Sequence, residues 1–153
     1  MAVSDKPPVV RLNQMNDEIL GKLSWNKDLN RFEATVDVDG EQLSFCVEPY
    51  DRKSPTFDSA HDHLKRIRSS PEKYKTAAAK RYLKIHNESW NDGKPITKTE
   101  FCKRLKLYAI LVCEDPDYGS ADLMYHDGGL FDGHSVVVTA SDSDEIEDVK
   151  LFG

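Results

Sequence analysis

The chain has 153 residues, 39% hydrophobic and 31% charged, with two Trp, six Tyr and six Phe, which is enough apolar material for one packed domain and argues against disorder. Its net charge of −6 is unevenly spread, residues 1–60 carrying −4, residues 61–106 carrying +8 and residues 107–153 carrying −10. No stretch approaches the roughly 20 apolar residues of a membrane span, Met1 to Asn16 has no secretory-type apolar run, and three cysteines without CxxC spacing suggest neither a disulfide framework nor a zinc ribbon, so a soluble cytoplasmic protein with reduced thiols is expected.

Residues 1–17 read as a mobile lead, because Pro7-Pro8 and the polar cluster from Asn13 to Asp17 break both the helical and the strand period. The domain is expected over residues 18–153. Three β-prone runs follow, Ile19 to Trp25, Phe32 to Val38 and Gln42 to Glu48, separated by Asn26-Lys27-Asp28 and by Asp39-Gly40. In the second run Phe32, Ala34, Val36 and Val38 alternate with Glu33, Thr35 and Asp37, a period of two that predicts an antiparallel meander with one wet face.

The pattern then turns helical, with Phe57, Ala60, Leu64 and Ile67 spaced by 3, 4 and 3. Ser70-Pro71 predicts a cap and first position for a second helix, which runs to about Glu88, buries Tyr74, Ala78, Tyr82 and Ile85, and leaves Trp90 to pack just beyond it. Thr97 and Glu100 form a capping box for a short third helix that carries Phe101 and Leu105 inward. Strands return at Leu107 to Cys113, Leu123 to His126, Ser135 to Ala140 and Glu147 to Phe152. The fold class is therefore α+β: an antiparallel sheet from an N-terminal three-stranded meander and C-terminal strands, with about three helices between them packed on one side.

Several segments, taken in order, resemble a known family. Leu20-Gly21-Lys22-Leu23, the helical Ala77-Ala78-Ala79-Lys80-Arg81-Tyr82-Leu83, Asn87-Glu88-Ser89-Trp90, Thr97-Lys98-Thr99-Glu100-Phe101 and Leu130-Phe131-Asp132-Gly133-His134-Ser135 are similar to the bacterial domain of unknown function family 2262. The resemblance spans about Ile19 to the C-terminus. It implies a bacterial cytoplasmic α+β domain and implies no activity.

The densest candidate constellation is His126-Asp127-Gly128-Gly129-Leu130-Phe131-Asp132-Gly133-His134, two imidazoles, two carboxylates and three glycines in nine residues. Two readings stand side by side. As a metal centre, His126 and His134 leave neighbouring strands and Asp127 or Asp132 completes the donor set. As a Gly-rich turn, the Asp side chains bond their own backbone and Phe131 plugs the core. Asp115-Pro116-Asp117-Tyr118-Gly119 superficially resembles a calcium loop, but it lacks a donor at position 119 and has His126 where the closing Glu belongs. His61 and His63, two apart on a helix, do not share a face. Cys46, Cys102 and Cys113 lie in apolar runs and read as structural thiols, and no GxSxG, HExxH, P-loop or GxGxxG occurs.

Two charged surfaces remain. Lys65, Arg66, Arg68, Lys73, Lys80, Lys84, Lys103 and Arg104 form either the solvated face of three helices or a phosphate-contacting ridge, with Tyr74 or Trp90 for stacking. The acidic C-terminal third offers a face to a basic protein. Asp115, Asp117, Asp142, Asp144, Glu145 and Glu147 would form its rim, with Tyr118, Tyr125 or Phe131 as aromatic anchors. The expectation is a non-catalytic binding protein without a cofactor, in its most concrete form an immunity-type antagonist that covers a basic active surface. The alternatives are a small metal-dependent hydrolase centred on His126, Asp127, Asp132 and His134, and a nucleic-acid accessory protein using the basic helices.

Overall fold

The structure, a computed structural model, describes residues 13–91 and 93–153. Its elements in order are β1 (Gln14–Asp17), β2 (Gly21–Asn26), β3 (Arg31–Val38), β4 (Glu41–Glu48), α1 (Asp58–Ser69), α2 (Glu72–Ile85), a π-helical turn (His86–Trp90), α3 (Lys98–Arg104), β5 (Lys106–Cys113), β6 (Ser120–His126), β7 (Ser135–Ser141) and β8 (Ile146–Phe152). The eight strands form one sheet in sequential order from β1 to β8. The class is α+β, as expected, with the sheet dominant.

All strand pairs are antiparallel except β4 and β5, which run parallel with Phe45 opposite Ile110 and Val47 opposite Val112. The molecule is thus two four-stranded meanders fused at a central parallel pair, and the helices form the crossover that parallel pairing requires. The expectation of a wholly antiparallel sheet fails at this junction. It fails because strand direction there is decided by a connection too long to leave a turn signature.

The N-terminal boundary also moves. Residues 1–12 of the expected lead lie outside the described residues, but Gln14–Asp17 is not lead: it pairs with β2, Met15 opposite Leu23. Its turn is tied by Asp17, whose Oδ2 accepts the amides of Ile19 and Leu20 at 2.9 Å each. The β3–β4 hairpin forms as its sequence dictates, Asp39 and Gly40 both taking the positive φ angles of a tight two-residue turn.

The core lies between the helices and one sheet face. Alternate strand residues supply Phe32, Ala34, Val36, Leu43, Phe45, Ile110, Val112, Leu123, Tyr125, Val136 and Val138, while the helices supply Ala60, Leu64, Ile67, Tyr74, Ala78 and Phe101. Thr97 caps α3 by accepting the amide of Glu100 at 3.2 Å, the first half of the expected capping box, while the Glu100 carboxylate lies 3.7 Å from Arg104. Ser70 does not cap α2. Pro71 holds that position without a side-chain bond, and only the Ser70 backbone carbonyl accepts the amide of Lys73. The α1 N-terminus is closed from a distance: Phe57 has a left-handed φ of 60°, and the buried Glu114, just past β5, accepts the amides of Phe57 and Ala60 at 3.2 and 3.3 Å.

Candidate functional site

At one end of the β6–β7 hairpin the loop before β6 meets the turn between β7 and β8. Asp115 fixes the first loop, its Oδ1 accepting the amides of Asp117 at 2.8 Å and Tyr118 at 3.0 Å, so that Tyr118 stands 82% exposed on an ordered turn. The second turn is closed by backbone bonds between Ser141 and Glu145 and between Asp144 and Ser141, each 2.8 Å. Gly119 allows the two to touch, because a Cβ at this position would overlap the Asp142 carboxylate. Between them lies a recess of about 400 Å³ whose walls include Asp117, Tyr118, Asp142, Ser143 and Glu147.

The recess is anchored to the helices through Asp142. Its Oδ1 lies 2.8 Å from Nε2 of the buried His63, its Oδ2 accepts the Ser59 hydroxyl at 3.5 Å, and its backbone carbonyl accepts Arg66 at 2.6 Å. Three carboxylates beside an exposed phenol ring suit a guanidinium or ammonium group, which can pair with the carboxylates and lie against the ring.

The expected partner surface is gathered only in part. Asp117, Tyr118, Asp142 and Glu147 share the recess, Asp115 braces it, and Glu145 is exposed on the neighbouring turn. Asp144 turns the other way, onto α2. It accepts Lys73 Nζ at 2.7 Å and the Tyr74 hydroxyl at 2.9 Å, and although burial opposes its ionisation, those bonds hold its carboxyl below the usual range. Tyr125 and Phe131 are 1% and 0% exposed, so neither is a surface anchor. Tyr125 sits in phase with Ala121 and Leu123 on the core face of β6, and burial raises its hydroxyl pKa. Phe131 packs edge-on against Tyr82, His86, Trp90 and Phe101.

At the opposite end of the hairpin the His126–His134 segment is a turn held by one carboxylate. The buried Asp127 accepts the Gly129 amide at 3.0 Å through Oδ1 and the amides of Phe131 and Gly133 at 2.8 and 2.9 Å through Oδ2. Its two oxygens are spent on the backbone. His126 stacks on Tyr108 with centroids 4.2 Å apart, Asp132 adopts a left-handed φ of 56°, and His134 bonds the Phe131 carbonyl through Nδ1. Among the described residues no group of three or more His, Cys, Asp and Glu side chains is placed to hold a metal, which corrects the reading of His126, Asp127, Asp132 and His134 as a donor set.

The basic residues are a free ridge only in part: Lys65, Lys80, Lys84 and Lys103 are exposed, while the other four are engaged within the fold. Arg66 and Arg68 donate to the carbonyls of Asp142 and Asp37, Lys73 pairs with Asp144, and Arg104 lies 3.7 Å from Glu100. Through Arg66 and Lys73 the basic helices interlock with the acidic turn between β7 and β8, so the charge polarity of the sequence is partly neutralised in space. His61 and His63 diverge as their spacing predicts, His61 reaching Asp17 at 2.8 Å and His63 reaching Asp142. Burial pushes all three thiols, Cys46, Cys102 and Cys113, above the usual range, which disfavours thiolate chemistry.

Sequence reasoning missed His63 as the brace of the recess and Glu114 as a cap. Neither carries a local signal, because each partner lies more than fifty residues away, at separations of 79 and 57. The sequence model of a bacterial family described as "Uncharacterized protein conserved in bacteria (DUF2262)" matches residues 17–151. No curated protein and no solved structure matches the chain.

Proposed function

The chain belongs to the bacterial DUF2262 family, and from that premise we propose that it is a non-catalytic binding protein that docks a basic protein partner at the recess between residues 115–119 and 141–147. The observation that carries the reading is the convergence on one concave surface of Asp117 and Tyr118, from the loop before β6, with Asp142, from the turn between β7 and β8, and Glu147, near the start of β8. The loops are pre-ordered by Asp115 and by the His63–Asp142 contact, so little conformational entropy is lost when a partner docks. Tyr118 is the anchor, an exposed aromatic ring ringed by carboxylates. In its concrete form the protein is an immunity-type antagonist in the bacterial cytoplasm, its acidic recess accepting a Lys or Arg from the active surface of a toxin or nuclease.

The test is affinity capture from the native host, followed by binding kinetics with the captured protein. Association should slow by about tenfold or more as salt rises from low to physiological ionic strength, and Asp117→Lys and Tyr118→Ala should each abolish capture. A partner retained by both variants, or an association rate indifferent to salt, overturns the reading.

A further inference from the structure

A second cleft lies at the other end of the β6–β7 hairpin from the acidic recess, on the order of 20 Å away at the usual rise of a seven-residue strand, and it is independent of the reading above. It has a volume of about 440 Å³, within the size range of small-molecule sites, and its walls include His86, Trp90, Lys94, Arg104 and Asp132. It is built where α2 widens into the π-helical turn His86–Trp90, a rare geometry that recurs at functional sites. The facing wall is the turn held by Asp127, pressed so closely on α3 that a Cβ at Gly128 would overlap the backbone of Arg104.

The tautomer of His86 follows from its neighbours. Asn87 Nδ2 donates to the Ile96 carbonyl and its Oδ1 accepts the Ile96 amide, both at 3.0 Å, so the amide cannot flip without setting N–H against N–H. Oδ1 also faces His86 Nδ1 at 3.1 Å, and as an acceptor it requires the ring proton on Nδ1. The neutral imidazole therefore keeps its lone pair on Nε2. The residue is 4% exposed, and its ring is fixed edge-on by Phe101 and Phe131, the kind of outer support that orients a ligand-contacting histidine.

The cleft is thus lined by two cations, Lys94 and Arg104, by the His86 imidazole, by the Asp132 carboxylate and by the partly exposed Trp90 ring. Cations call for an oxyanion, and the two acceptors call for hydroxyl donors on the same molecule. From this geometry we infer that the cleft binds a small polyhydroxy phosphate of the sugar-phosphate class, with the phosphate on Arg104 and Lys94, a hydroxyl on His86 Nε2 and a sugar face on Trp90. Glu100, 3.7 Å from Arg104 Nε, competes weakly for the guanidinium and leaves its terminal nitrogens to the phosphate.

The chain has two tryptophans, so its two indole N–H signals in a nitrogen–proton correlation spectrum report the cleft and, through Trp25, the sheet. Titration with glucose monophosphate should move the Trp90 signal and leave Trp25 still. Arg104→Ala and Lys94→Ala should each weaken the response by roughly tenfold or more, while the Trp25 signal verifies that each variant is folded. An unmoved Trp90 signal overturns the site, as does a response that both variants retain. Inorganic phosphate binding as tightly as the sugar phosphate overturns the ligand class.

Discussion

The imidazole of His63 on α1 meets the carboxylate of Asp142 at 2.8 Å, across 79 residues of sequence, with the histidine side chain 2% exposed and the aspartate side chain 43% exposed. One partner belongs to the core and the other to the acidic recess, so a surface feature is tied to the interior. His63→Ala should destabilise the fold by about 2–4 kcal/mol and Asp142→Ala by about 1–3 kcal/mol, with the double variant costing less than their sum. Urea denaturation of the four proteins measures the coupling. Strict additivity would mean that the contact contributes nothing.

The Tyr74 hydroxyl donates to Asp144 at 2.9 Å beside the Lys73 ammonium. Tyr74→Phe should cost about 1–1.5 kcal/mol with little change in spectroscopic signature. Because the folded-state pKa of Asp144 is depressed, its contribution is present above its ordinary value of 3.8 and is lost as pH falls below it. Asp144→Asn should flatten that acid limb of the stability curve.

Glu114 titrates in the opposite sense. Burial raises its carboxyl above the ordinary 4.5, while the amides of Ala60 and Phe57 pull it down without cancelling the shift. Just above 4.5 the folded protein therefore binds more protons than the unfolded chain, and this contribution fades as pH rises through the folded value. Glu114→Gln should remove that decline, seen as a flatter pH dependence of the urea midpoint. Glu114→Ala should cost about 1–3 kcal/mol at neutral pH, since the amides of Phe57 and Ala60 lose their acceptor.

Asp127 serves three amides, and Phe131 depends on one of them. Asp127→Ala should destabilise by about 3 kcal/mol or more and loosen Phe131 from its ring of aromatic neighbours, whereas Asp127→Asn, which keeps one acceptor oxygen, should cost less. Added divalent metal should not shift the melting temperature of the wild type. A metal-dependent rise would restore the donor-set reading of His126, Asp127, Asp132 and His134.

Gly128 has a φ of 58° and no room for a side chain against Arg104. Gly128→Ala should cost about 2 kcal/mol or more, since strain and collision add. Gly129→Ala, at a φ of 86° but with nothing within 4 Å, should cost less. Equal losses in thermal melts would show that the close approach to α3 does not matter.

Local pattern carried most of the strands and helices. The alternation from Phe32 to Val38, the Thr97 cap and the Asp39-Gly40 turn each needed only neighbours to be readable. β1 was not readable, because Gln14, Asn16 and Asp17 are polar and the strand is defined by pairing with β2. The same limit hid the parallel pairing of β4 with β5, the Glu114 cap and the His63 brace, all set by distant partners. Tyr125 is different: Ala121, Leu123 and Tyr125 alternate in sequence, so its burial was legible and an anchor role for it ran against that pattern. The recess was half legible. Its carboxylates stood out by composition, but their sorting into recess, brace and helix contact required the fold.

The parallel pairing at the centre of the sheet carries a consequence for synthesis on the ribosome. β1 to β4 can zip together as soon as they emerge, yet β4 must then wait with one whole side of its backbone unpaired until residues 49–105 have been made and β5 arrives. During that interval Glu41–Glu48, with Leu43, Phe45 and Val47 on its apolar side, is a bare edge able to recruit a strand from another nascent chain. The helical crossover is then a delay as well as a connection, and the protein's greatest exposure to misassembly falls midway through its own translation.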